Sequence, residues 1–168
     1  MEPAEALGVA AQVAVTLAGF AGVVVVFRPQ AVHQWSTLDR FRLRLLLSSS
    51  IFPLGYALFA MLLLTMIPPP PQIWRWCSAL AAIGSVAGGI TTLIAMRKIS
   101  QAELEGTTRT LFYPVAVIGT AAILLQFYNF SVLNRFWPFF FAIVVHIIAA
   151  MLQFMRIVLL PPDTIVPK

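Results

Sequence analysis

Trp137–Leu160 reads WPFFFAIVVHIIAAMLQFMRIVLL, with no acidic side chain and one basic one, Arg156. A helix of about 20 apolar residues crosses the roughly 30 Å hydrocarbon layer of a bilayer, so this stretch is long enough to span it. Gly8–Phe27, Leu45–Ile67, Trp74–Met96 and Leu111–Phe130 qualify on the same grounds, and none of them contains an acid. The expected fold is therefore all-α, a polytopic membrane bundle of five transmembrane helices forming one domain over residues 1–168. Short connections make consecutive helices antiparallel neighbours.

The composition agrees. Of 168 residues, 60% are hydrophobic and 10% charged, against about 45–50% and about 25% in soluble domains. A water-soluble fold of this size cannot hide that much apolar surface. The net charge of +5 comes with no basic run on a soluble domain, which argues against nucleic acid as a partner and makes the basic residues topology signals. The opening MEPAEALGVAAQ carries Glu2 and Glu5 where a secretory signal has a basic region, so the first apolar stretch is expected to stay as a helix. A lone cysteine, Cys77, excludes an internal disulfide framework.

Arg28, Arg40, Arg42, Arg44, Arg97, Lys98, Arg109, Arg156 and Lys168 fall on one side of the expected bundle, and only Arg75 and Arg135 on the other. By the positive-inside rule the N-terminus is outside and the C-terminus cytoplasmic. Trp74, Trp76, Tyr128 and Trp137 then mark the outer interface, Trp35 and Tyr113 the inner one. Pro68–Pro71 lie outside, where they are expected to end the second helix and run on as a stiff polyproline II corner.

Small residues supply a packing signal. Ala6, Ala10, Ala14, Ala18 and Gly22 recur every fourth residue in the first helix, and Gly84 and Gly88 form a G-x-x-x-G pair in the third, beside Ser85. Such residues let backbones approach closely where lipid removes the hydrophobic drive between helices. The first and third helices are expected to make the tightest contact, within one chain or between copies. Four residues turn a helix by about 400°, so only about three members of the first stripe can meet one partner.

Polar groups inside the spans are few. In SSSIFPLGY, Pro53 removes a helical bond, and Ser48–Ser50 are expected to serve the carbonyl it releases. His146, Gln153 and Arg156 form the most suggestive set: His146 and Gln153 share a helix face at i+7, with Arg156 to the side. Together with Ser49 they make a candidate polar site inside the membrane. It is either a relay or ligand site, or an interhelical hydrogen bond at His146 with Arg156 reaching for headgroups. No span contains a carboxylate, which argues against a proton or cation pump. No catalytic constellation, phosphate loop, metal-ligand cluster or haem-ligand pair (His33 and His146 lie at different depths) is legible, so no enzyme, metal or cofactor is expected. HQWSTLDRFRLRLLL reads as loop surface and a basic approach to the second helix, with Asp39 and Arg42 paired if that helix starts early. RKISQAELEGTTRT reads as solvated loop, with Glu105 and Arg109 at i+4.

LAGFAGVVVVF, WSTLDRFRLRLLLSSS and WRWCSAL together are similar to a group of small bacterial multi-pass inner-membrane proteins with no assigned activity. The resemblance covers the first half of the chain and implies a bacterial inner-membrane setting alone. The leading functional expectation is a non-catalytic accessory or interaction subunit, with lipid and a second copy or another membrane protein as partners. The alternative is a small transporter or channel component working as an oligomer, with a polar path near His146.

Overall fold

The computed structural model describes residues 2–27, 31–99 and 109–159. They form α1 (Pro3–Phe27), α2 (Thr37–Leu64), α3 (Ile73–Met96), α4 (Arg109–Tyr128) and α5 (Phe136–Leu159). A π-helical stretch, Asn129–Leu133, continues α4, and one 3-10 turn, Val32–Gln34, precedes α2. Among the described residues, five helices are long and apolar enough to cross a membrane, as the sequence leads one to expect. Leu160, Arg28, Lys168 and Glu105 lie outside the described residues.

The elements pair as an antiparallel bundle with α2 and α5 at its centre. α1 packs along α2 and α5 on one side; α3 rests on α2, and α4 on α3 and α5. The end that carries Pro68–Pro71 is here called the proline end, and the end where α2 starts and α5 finishes the arginine end.

The small-residue stripe of α1 behaves as helical drift requires. Ala6, Ala10 and Ala14 are buried, Ala18 is half-buried and Gly22 faces outward. The buried line instead passes through Leu7, Ala10, Ala14, Leu17 and Ala21, stepping by three and four residues. Within the chain the expected α1–α3 contact is replaced by α1 against α2 and α5. The G-x-x-x-G pair of α3 receives aromatic rings of α2 instead. A methyl group added at Gly84 would run into the Tyr56 hydroxyl, and one added at Gly88 would approach the Phe52 ring to 2.8 Å. Glycine is thus needed here to seat rings rather than to bring two backbones together.

α2 begins eight residues before the expected Leu45. The Ser36 hydroxyl accepts from the Asp39 backbone N–H at 3.0 Å, a capping bond that starts the helix at Thr37. One turn then separates Asp39 from Arg42, and their side chains meet at 3.1 Å. Both are buried, as is Trp35, so this stretch is interior where loop surface and an interfacial ring were expected. Ser48 and Ser50 donate to the Leu45 and Leu46 carbonyls, and so do not serve the Ser49 carbonyl as expected. At its other end α2 stops at Leu64, short of Ile67, with the Thr65 hydroxyl on the Leu62 carbonyl. The prolines that follow join α2 to α3: the Ile67–Pro68 bond is cis, and Pro71–Gln72 turn directly into α3. Trp76, Trp137, Tyr128 and Tyr113 are exposed near helix ends, in keeping with rings at an interface.

The proline end is closed. Leu7, Tyr56, Ala57, Cys77, Phe139 and Ile143 fill it, all at most 3% exposed. Polar side chains tie the helix ends over this core. Asn129 Nδ2 donates to Ser78 Oγ at 2.7 Å and to the Arg135 carbonyl at 2.9 Å, while its Oδ1 accepts from the Arg135 N–H at 2.9 Å. Asn134, in the left-handed region at φ 48°, donates to the Pro71 carbonyl and accepts from the Arg75 N–H. Asparagine tolerates that backbone geometry better than most residues, which suits it to the corner between α4 and α5.

Candidate ligand-binding cavity

Towards the arginine end the same helices part. A cavity of about 290 Å³ opens between α2, α3, α4 and α5, from the level of Phe52, Ser85 and His146 down to Arg156. Its existence follows from side-chain size. Gly88 and Gly89 of α3, Ala116 and Gly119 of α4 and Ala149 of α5 face it, where the proline end has aromatic and branched residues. A methyl group added at Gly119 or Gly89 would meet nothing within 4 Å. A second depression, lined by Arg40 to Phe52, belongs to α2 alone and has no facing wall; it is helix surface.

The structure brings all four polar candidates to this one cavity: Ser49 from α2, and His146, Gln153 and Arg156 from α5. The i+7 spacing of His146 and Gln153 accounts for their shared face. The carbonyl that Pro53 leaves without an intrahelical donor is that of Ser49.

His146 is fixed from two sides. Its Nδ1 donates to the Ala142 carbonyl at 2.8 Å, so in a neutral ring Nε2 is the acceptor. Nε2 lies 3.5 Å from Ser85 Oγ, which in turn lies 3.5 Å from the Tyr56 hydroxyl, itself 3.4 Å from the Ala81 carbonyl. These are long bonds, and they hold the ring loosely on that edge. The rings of Phe52 and Tyr56 meet the imidazole edge-on at 6.0 and 5.7 Å between centroids. Sequence reads Ser85 as a packing neighbour of the glycines and gives Tyr56 no role. The structure makes them the two hydroxyls that link α2 and α3 to His146, and only a known α2–α3 register would have revealed that.

Gln153 is different. It is 9% exposed, and its Oε1 is buried with no hydrogen-bond partner among the described residues. Leaving a buried amide oxygen unserved costs about 1–3 kcal/mol. Arg156, one turn further on, is equally buried and lies within reach of the charge on Arg42. The described lining thus combines apolar walls, hydroxyls of Ser48, Ser49, Ser85, Thr92 and Thr120, an imidazole, an amide and a guanidinium, and contains no carboxylate or thiol. That set offers hydrogen-bond donors, acceptors and one positive charge; among the described residues it holds no nucleophile paired with a base and an acid. No three His, Cys, Asp or Glu side chains among the described residues come close enough to hold a metal ion.

Compared with models of protein families, with curated proteins and with solved structures, the chain matches none.

Proposed function

We propose that this chain is a bacterial inner-membrane protein, N-terminus outside and C-terminus in the cytoplasm, that binds a small molecule in the arginine-end cavity as a component of membrane transport. The observation that carries the reading is the convergence of Ser49, His146, Gln153 and Arg156 on one cavity whose other walls are mainly apolar. Buried polar groups in a membrane protein are costly, and they concentrate where a solute is handled. The accessory-subunit expectation has no comparable observation behind it. The nine-to-two distribution of basic residues supports this orientation, in which the cavity faces the cytoplasmic side.

Among the described residues, the closed proline end leaves no path through one chain in this conformation. Transport therefore requires that end to open, or several copies to act together. Reconstituted into liposomes, the protein should catalyse uptake that His146→Ala abolishes while the variant stays folded; uptake unchanged by the substitution removes His146 from the path. Native mass spectrometry after gentle extraction should return a homo-oligomer. A stable complex with an unrelated subunit would instead restore the accessory role. Cysteine labelling from each side tests the orientation, and a C-terminus reached only from outside overturns it.

A further inference from the structure

We infer that the ligand is a single-chain amphiphile with an acidic head, a carboxylate or a phosphate, held head-down at Arg156 and Gln153 with its tail towards Phe52 and Ser85. This rests on the binding reading above and narrows it to a chemical class.

Three features of the cavity point to that class. Its walls are mainly apolar, so the body of the ligand is apolar. A cavity of about 150 Å³ holds a benzene ring, so 290 Å³ holds a chain of about 12 heavy atoms. Hydroxyls and an imidazole occur along its length, but the amide and the guanidinium are together: Gln153 and Arg156 stand one turn apart, about 4.5 Å along the helix, at the end nearest the headgroups.

Arg156 fixes the sign of the head. A guanidinium offers donors and positive charge, favouring an acid and repelling an amine. Gln153 fixes its second contact. Its amide turns either edge to the head: Oε1 accepts the O–H of an acid arriving neutral from the lipid, and the NH₂ group donates to the same acid once ionised. A hydrocarbon or an ester would leave Oε1 unserved in one of the most buried positions of the cavity. Thr120 and Ala116 of α4 line the cavity and are themselves exposed on the bundle surface, so a chain has a lateral way in from the lipid.

The test uses the full chain in nanodiscs of zwitterionic lipid and decanoic acid carrying a terminal diazirine, with labelled residues mapped by mass spectrometry. Labelling is expected near Phe52, Ser85 and Ile123, and unlabelled decanoate or decyl phosphate should compete it away. Whichever competes at the lower concentration identifies the head. Gln153→Leu and Arg156→Gln should each weaken competition about tenfold, the loss of one charge-assisted hydrogen bond. Gly119→Leu fills the cavity from a position with open space around it and should abolish labelling without touching the polar groups. If decanol and decylamine compete as well as decanoate, the acidic class is wrong and the cavity remains a binding site. If labelling never reaches the cavity and Gly119→Leu changes nothing, both this inference and the binding reading fall.

Discussion

Asn129 and Gln153 carry the same amide, both are buried, and the protein treats them in opposite ways. At the proline end, both polar atoms of Asn129 are engaged: its nitrogen reaches Ser78 and the Arg135 carbonyl, its oxygen the Arg135 N–H. At the arginine end, Gln153 faces a cavity and its oxygen has no partner among the described residues. Gln126 falls between: Nε2 donates to the Pro138 carbonyl at 2.7 Å, and Oε1 has no partner among the described residues. The surroundings explain the contrast better than the residue does. Phe139, Ile143 and Tyr56 bring the helices of the proline end together around amides bonded through one or both polar atoms, whereas glycines and alanines leave the arginine end hollow around Gln153, whose oxygen has no partner among the described residues. In lipid, where apolar burial adds little to helix association, packing and such bonds must hold the bundle, and the two ends are held unequally.

Substitutions can break or sharpen this contrast. The largest effect is expected for Asn129→Leu, which strands Ser78 and the Arg135 backbone; thermal unfolding in detergent should show a loss of about 3 kcal/mol. Gly84→Leu, which must displace the Tyr56 ring, is expected to cost about 2 kcal/mol and to free the α3 face, so that Ser85 no longer braces His146. Gln126→Leu gives up one good bond and one unserved oxygen, for a net cost of about 1 kcal/mol. Gln153→Leu is expected to cost nothing and to gain up to about 1 kcal/mol, because an unserved oxygen is removed and no bond of Oε1 is lost. A loss at Gln153 as large as that at Asn129 would erase the distinction between the two ends.

Hydropathy alone made the five helices legible, because each span is long and free of acids. Where short-range chemistry acts on a helix end, it was less informative. The Ser36 hydroxyl carries α2 eight residues beyond its apolar core and takes Asp39, Arg42 and Trp35 inside with it. The polar candidates on α5 were legible because they share one helix, whose period places them. Their partners Ser85 and Tyr56 were not, since their positions depend on how α3 lies against α2. The Asn129 clasp was hidden for the same reason: it joins three helix ends that no periodicity relates.

The chain contains its own control for the central claim, that the arginine end is hollow and the proline end shut. Cys77 is fully buried in the proline-end core, and Ser49 lines the cavity. The most direct measurement is the rate at which N-ethylmaleimide modifies Ser49→Cys compared with native Cys77 in the same membrane-embedded protein. The introduced thiol is expected to react while Cys77 stays unmodified, and adding Gly119→Leu is expected to slow the reaction. A cysteine at position 49 as inert as Cys77 would contradict it.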